Sequence, residues 1–437
     1  MASTTMVIIV GALLLILTAV LLLHGKLSVP FVFIILPIVA ALILGYKPAE
    51  ISTFAMNGMS KVTSTVALMT FAIAYFGTLN DVGVLDVIVG KVMKKMGNRV
   101  ELVLLLTCLV TAIAHLDTSG VTTCVVTIPL MLPFYKKMKI NPCALILFLS
   151  LISGVMQSLP WSSAGLRLSA AIGIDPVELW RSVLPLQIFG ILFTLALCFY
   201  IAKREKKKGA GVSDEEFQEL LRSVVDNSTL KVSKGVFFFD VVFTVVLIFV
   251  LLMGWLNSNI AFCLATVIAL MVNYRDPKSQ VKKIKEFGAN SIYMITIIFA
   301  IGILAGITGG TGMITALADA LLGILPESLV KSLLSIVSLL SFPMTVLLGS
   351  DTVYAVISPL LQGVTAPYGA TALQIAQAVI IGATISANFS FCNPAPYLGL
   401  GLAGVEMRDH LKYSFLWGWL VCILMSIGAI LMGMYAL

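Results

Sequence analysis

The chain has 437 residues, 59% hydrophobic and only 11% charged, with 28 Lys and Arg against 21 Asp and Glu for a formal charge of +7. Soluble domains run nearer half apolar and a quarter charged, so this composition excludes an ordinary soluble enzyme, a disordered chain and a nucleic-acid binder. The apolar residues fall in long runs, which identifies an all-α polytopic membrane protein.

A helix crossing a hydrocarbon core of about 30 Å needs about 20 residues. Suitable runs begin at Met6, Ser28, Ser64, Val100, Cys143 and Ser182, and a second set begins at Val236, Asn259, Ser291, Val330, Ala372 and Ser414. The first run, Met6 to Leu23, lacks a basic flank and a cleavage site and reads as a spanning helix, not a removed signal. Residues 203–235 separate the two sets as one polar linker. It opens with Lys203-Arg-Glu-Lys-Lys-Lys208, and Ser213-Asp-Glu-Glu216 has the pattern of a capping box beginning a short amphipathic helix. The seven cysteines (108, 124, 143, 198, 263, 392 and 422) lie in apolar segments without CxxC spacing. They read as small core residues, with neither a disulfide framework nor a zinc site.

The two sets of runs repeat one another, giving a first repeat over 1–202 and a second over 236–437. Phe76–Leu85 matches Ala305–Ile314 at an offset of 229, Ser119–Leu130 matches Gly349–Leu360 at 230, and Gly173-Ile-Asp175 matches Gly404-Val-Glu406 at 231. Internal duplication marks many secondary transporters. Basic residues cluster at Lys91, Lys94, Lys95 and Arg99; at Lys136, Lys137 and Lys139; at Lys203 to Lys208; at Arg275 to Lys285; and at Arg408 and Lys412. Placing every cluster on the cytoplasmic side requires residues 100–135 to enter and leave from inside, as a re-entrant helical hairpin. Residues 330–365 then form its counterpart from outside. Each hairpin is followed by a broken transmembrane helix, about 143–172 and about 372–404. The repeats are therefore expected to be inverted in topology, with both chain ends outside and the linker cytoplasmic. The sequon Asn227-Ser228-Thr229 then faces the wrong side to matter.

Four places combine helix breakers with polar side chains at membrane depth: the hairpin tips His115–Thr123 and Gly349–Thr352, and the breaks Ser158–Arg167 and Ser390–Tyr397. Unwound backbone within a bilayer is tolerated only where protein buries it or it lines a cavity. Half-helix N-termini suit anions, whereas freed carbonyls and carboxylates suit cations. Arg167 beside the first break is the prime candidate for a bidentate grip on a substrate carboxylate; the bland alternative is a snorkelling or ion-paired structural arginine. Ser119, Gly120, Thr122, Ser162, Ser163, Ser350, Thr352, Asn393 and Pro394 complete the candidate substrate site. Asp117 and Asp351 at the tips, with His115 and Ser390, are candidates for the coupling ion, H⁺ or Na⁺. Those two aspartates are also the acids available to a Na⁺ or divalent ion, and helix capping is their ordinary alternative. Asp81 and Asp319 read as edge and interfacial residues. Gly309-Gly310-Thr311-Gly312 lacks the context of a phosphate cradle, and no cofactor is expected.

At these motifs the chain resembles the citrate–metal:proton symporter family of the ion transporter superfamily. The residues carrying the likeness are His115-Leu-Asp117 with Gly120, Thr122 and Thr123; Leu159-Pro-Trp161 with Arg167; Ser350-Asp351 with Tyr354; and Pro394, Tyr397, Gly401-Leu402 and Asp409-His410. The resemblance implies cation-coupled symport of citrate or a related di- or tricarboxylate across a bacterial-type inner membrane. It also implies elevator-type alternating access by a homodimer whose protomers each carry a scaffold and a transport domain. This chain departs from the family pattern by having Ser119 for a second tip acid, Ser350 for the usual Asn, and Ala387 near the place of a histidine. A free carboxylate or another small anion therefore stands beside a metal–citrate complex. An intramembrane aspartyl protease, using Asp117 and Asp351 as a pair, would need tips entering from the same side. An ion channel would leave an anion-binding arginine without a task.

Overall fold

The computed structural model describes residues 3–24, 27–93, 97–225, 231–390 and 393–435. Lys94, Lys95, the sequon residues Asn227, Ser228 and Thr229, and Cys392 lie outside them. Every regular element among the described residues is helical. In chain order the first half contains α1 (Thr4–His24), α2 (Val29–Ile43), α3 (Pro48–Asp81), α4 (Val84–Met93), α5 (Val100–Ala114), α6 (Gly120–Lys137), α7 (Pro142–Met156), α8 (Ser163–Ile172) and α9 (Pro176–Lys207). The linker carries α10 (Asp214–Val225). The second half contains α11 (Lys234–Met253), α12 (Ser258–Asn273), α13 (Pro277–Gly310), α14 (Met313–Leu322), α15 (Glu327–Lys331) and α16 (Leu333–Leu348). It continues through α17 (Ser350–Thr352), a π segment over Val353–Ile357 and α18 (Ser358–Thr365) to α19 (Ala372–Ser386), α20 (Pro394–Ala403) and α21 (Met407–Leu431).

Helix lengths recur in order between the halves. The 34-residue α3 answers the 34-residue α13, each followed by a 10-residue helix, and the 15-residue α7 and 10-residue α8 answer α19 and α20 of the same lengths. The punctuation recurs as well. Gly173 (φ 75) and Gly404 (φ 68) close α8 and α20 in the left-handed conformation that glycine adopts without strain. An acid two positions on precedes the next long helix: Asp175 caps α9 by accepting from the N–H groups of Val177 and Glu178 at 2.9 and 3.0 Å, and Glu406 occupies the same position before α21 without a side-chain bond to its first turn.

Eight helices are long and apolar enough to span a membrane among the described residues, fewer than the twelve apolar runs. The run opening at Ser64 is the apolar part of α3, which already starts at Pro48. Those opening at Ser28 and Asn259 make helices of only 15 and 16 residues, roughly 23 Å long at 1.5 Å per residue. The runs at Cys143 and Val330 are shortened by the interruptions described below.

The long helices α3 and α13 cross at very close range. A Cβ at Gly58 would strike the carbonyl oxygen of Gly302, and one at Gly306 would strike the carbonyl oxygen of Phe54. Small residues at this spacing let backbones pack tightly where lipid offers no hydrophobic drive between helices. α2 and α12 flank this crossing. Around it, α5 packs on α7 and α9 as α16 packs on α19 and α21, while α6 lies against α20 and α18 against α8. The second arm of each interrupted segment thus rests on the half-helix of the other repeat. α10 docks on the end of α6: Phe217 is fully buried with its ring 5.5 Å from that of Phe134, and Lys137 pairs with Glu216 at 3.3 Å.

Candidate functional site

The four breaks expected at membrane depth are all present. After α5 the chain makes a single 3₁₀ turn over His115–Asp117, and Thr118 adopts the left-handed conformation (φ 57). Ser119 caps α6, its hydroxyl accepting from the Thr122 N–H at 3.2 Å, and the Asp117 carboxylate accepts from the Ser119 N–H at 2.9 Å. α16 ends at Gly349, whose φ 79 and ψ 153 belong to a region essentially reserved for glycine. Between α7 and α8, Ser162 caps the second piece by accepting from the Gly165 N–H at 3.1 Å. Between α19 and α20, the chain unwinds through a 3₁₀ turn over Ala387–Phe389 before Pro394 restarts the helix.

The first break is clamped to the first tip. The Trp161 indole N–H donates to the Leu116 carbonyl at 2.9 Å, the Gln157 amide donates to the Thr118 carbonyl at 3.4 Å, and Trp161 stacks on Phe76 of α3 at 5.0 Å. A comparable tie joins the second break to the second tip, where the Asn393 amide donates to the Ser350 hydroxyl at 3.3 Å.

Two cavities meet along this assembly, each walled on one side by the breaks and tips and on the other by the long helices. One, of about 600 Å³, is lined by Gln157, Ser163, Arg167, Gly349 to Thr352, Tyr354, Asn388 and Asn393, facing Tyr293 and Ile297 of α13 and Leu27 to Val29. The other, of about 690 Å³, is lined by Asp117 to Thr122, Trp161 and Ser163, facing Asn80, Asp81 and Glu286. Thr118, Gly120, Ser163 and Met294 belong to both. These volumes are in the range of small-molecule sites.

Arg167 and Asp351, expected to bind an anion and a cation separately, form an ion pair with each other through the Arg167 Nη1 and the Asp351 Oδ1. Their side chains are 15% and 20% exposed. The guanidinium is fixed further by its Nε–H, which donates to the Ser163 carbonyl at 3.0 Å, and by lying 5.5 Å over the Tyr354 ring. This pair ties the half-helix of the first repeat to the tip of the second. Arg167 is the one basic side chain among the described residues lining either cavity.

Of the candidate site residues, Asp117, Ser119, Gly120, Thr122, Ser163, Ser350, Thr352 and Asn393 line a cavity. His115, Ser162 and Ser390 are instead tied into the protein. The His115 Nδ1 sits 2.6 Å from the Thr123 hydroxyl, the Ser162 hydroxyl donates to the Gln157 carbonyl, and the Ser390 hydroxyl donates to the Val346 carbonyl at 3.2 Å. All three are fully buried. Sequence reasoning missed Gln157, Asn388 and Tyr293 and named Tyr354 only for the family likeness, not as a cavity residue. The signal for two of them was available: Asn388 follows Gln157 by 231 positions, the offset of the Gly173 and Gly404 turns, so both amides stand at equivalent places before the two breaks. Three of the buried polar atoms left without a partner among the described residues lie here, namely the Gln157 Oε1, Thr352 Oγ1 and Tyr354 Oη. Such atoms are costly unless a ligand or water completes them.

An all-helical, membrane-spanning chain whose interrupted helices surround cavities of mixed polar and apolar lining defines the class as a multi-pass membrane transporter. Comparison with known sequences gives the family. The citrate transporter family pattern matches residues 2–382, and the chain belongs to that family. It is 31% identical over 435 residues to a protein of Bacillus subtilis (strain 168) described as a citrate transporter, covering 98% of this chain and 99% of the relative. It is also 31% identical over 431 residues to that organism's Mg(2+)/citrate complex secondary transporter, with coverage of 98% and 99%. Among solved structures, the fold is shared with the YdaH transporter of Alcanivorax borkumensis, at a TM-score of 0.58 and 12% identity, covering 89% of this chain and 88% of that one.

Proposed function

We propose that this chain is a secondary active transporter that carries a citrate-class di- or tricarboxylate together with a cation, H⁺ or Na⁺. The observation that carries this reading is Arg167. It is a planar, permanently charged fork on a half-helix, facing a cavity whose other polar lining is neutral hydroxyls and amides and one acid, set among apolar side chains such as Leu27, Met294, Ile297 and Leu348. The second cavity supplies Asp117, whose carboxylate has no Lys or Arg beside it among the described lining residues. That arrangement suits a coupling cation. The relatives' names supply citrate as the first substrate to try and leave open whether Mg²⁺ travels with it.

The repeats are read as inverted, with both chain ends outside and the linker inside, because that topology puts every basic cluster on the cytoplasmic side. Both cavities then open inward, since Asp81 and Glu286 bound one and Leu27 and Ser28 bound the other. Their walls come from two different groups of helices, which supports an elevator motion of the breaks and tips past α3 and α13. The test is equilibrium binding of citrate, malate, succinate and a monocarboxylate to purified protein, with and without Mg²⁺ and under varied Na⁺ and pH. Saturable binding of at least one polycarboxylate, lost in Arg167→Ala, supports the proposal. Absence of any such binding overturns it.

A further inference from the structure

We infer that Asp351 is an internal stand-in for a substrate carboxylate, holding Arg167 until substrate and a neutralising cation arrive together. This deepens the reading above and rests on it. Three observations carry it. The carboxylate on Arg167 belongs to the protein itself, and it comes from the tip of the other repeat. The pair lies at the wall of a 600 Å³ cavity, and neither side chain is sealed from it. Around the pair, the Thr352 hydroxyl and Tyr354 phenol are almost fully buried and have no hydrogen-bond partner among the described residues, and neither has the buried Oε1 of Gln157. An ion pair built only for stability has its remaining polar neighbours satisfied. Here polar atoms stand idle beside a guanidinium whose bonds among the described residues are those to Ser163 and Asp351.

The consequence follows from charge accounting. An incoming substrate carboxylate can take the guanidinium only by displacing Asp351. Displacement leaves an acid at membrane depth without its counter-charge, which is strongly unfavourable. The titratable or charged side chains facing Asp351 among the described residues are Arg167 from α8, Tyr293 from α13 and Tyr354 on its own segment. None of the other two can replace the lost positive charge. Asp351 must therefore take up a proton or a metal cation at the moment Arg167 is handed over. The exchange of partners makes substrate binding conditional on the cation, and it places one coupling event at the second tip in addition to the unpaired Asp117 at the first.

The inference is tested with labelled citrate on purified full-length protein, titrating the coupling cation. Arg167 is available in wild type only to the extent that Asp351 has released it, and an unavailable site weakens apparent affinity by the available fraction. Asp351→Asn removes the competitor, so citrate is expected to bind about tenfold more tightly at low cation concentration, with a flattened cation dependence. Weakened binding, or a cation dependence equal to wild type, overturns the inference. Should that variant fail to fold, Asp351→Ser is subject to the same two outcomes. Infrared difference spectra of wild-type protein on citrate addition give an independent readout. A protein carboxylate band shifting from an Arg-paired to a protonated or metal-bound position supports the exchange, and its absence overturns it. If wild-type protein binds no polycarboxylate under any condition, the proposed function itself has failed. If wild type binds citrate but Asp351→Asn does not tighten, only this inference has.

Discussion

Replacing Arg167 with lysine keeps one positive charge and removes the planar fork. Arginine presents five N–H donors where lysine presents three on a single rotatable ammonium. In the structure the Nε–H is spent on the Ser163 carbonyl and Nη1 on Asp351, so the fork is held in one orientation while donors remain for a ligand. A lysine loses both the anchor and at least one charge-assisted bond to a bidentate carboxylate, each worth about 1.5–3 kcal/mol. One lost carboxylate bond alone corresponds to a loss of affinity of roughly 10- to 150-fold. Weaker retention of Asp351 offsets part of this, so the lower end of the range is the expected value. The assay is scintillation-proximity binding of labelled citrate to detergent-purified wild type and Arg167→Lys, with melting curves to show that both are folded. Affinity within about twofold of wild type, under about 0.5 kcal/mol, with an intact melting curve would refute the assignment of Arg167 as the carboxylate fork.

Asp117→Asn removes an acid that lines a cavity and accepts a backbone N–H from Ser119. The amide oxygen can still accept that bond, so the protein should fold while the cation dependence of citrate binding is reduced; an unchanged cation titration would dissociate Asp117 from coupling. Gly58→Ala places a methyl group against the Gly302 carbonyl. Because backbone obstructs it, the cost should reach or exceed the upper part of the 1–3 kcal/mol typical of overpacking, read as a lower melting temperature, while Asn57→Ala or Ser60→Ala at the neighbouring exposed positions changes little. Phe217→Ala should release α10 from Phe134 and expose the linker to protease without changing citrate affinity. The adjoining Glu216 is held below the usual carboxylate range by the Ser213 hydroxyl and by Lys137. Its contribution to docking is therefore complete at neutral pH and disappears as pH falls through that lowered value. The pair is solvent-exposed, so protease sensitivity should rise only slightly in acid.

Much of this arrangement could be read from residues alone because each break has a chemical cause. Gly349 needs a backbone region closed to other residues, and Pro394 cannot continue α19 into α20. Ser119 and Ser162 each cap a new helix by accepting an N–H three positions on. These local rules leave signatures at fixed spacing, and duplication prints them twice. Long-range pairing leaves none. That Arg167 meets Asp351, 184 positions away, depends on α8 lying against α18 and the π segment before it, and periodicity carries no record of which helices touch. Span lengths were misjudged for a related reason. Hydropathy responds to apolar composition, whereas the length of α2 or α12 is set by where a turn is needed between neighbours. Ser162, Ser390 and His115 show the limit of reading polarity as site membership: the two hydroxyls satisfy helix carbonyls, and the imidazole meets the Thr123 hydroxyl.

The most direct test of cation-coupled carboxylate transport is uptake of labelled citrate into proteoliposomes holding the purified protein, with a pH or Na⁺ gradient imposed in turn. The account predicts accumulation above equilibrium under at least one gradient, collapse of that accumulation when the gradient is dissipated, and none with Arg167→Ala. Citrate that only equilibrates, or uptake indifferent to both gradients and to Arg167, would contradict it.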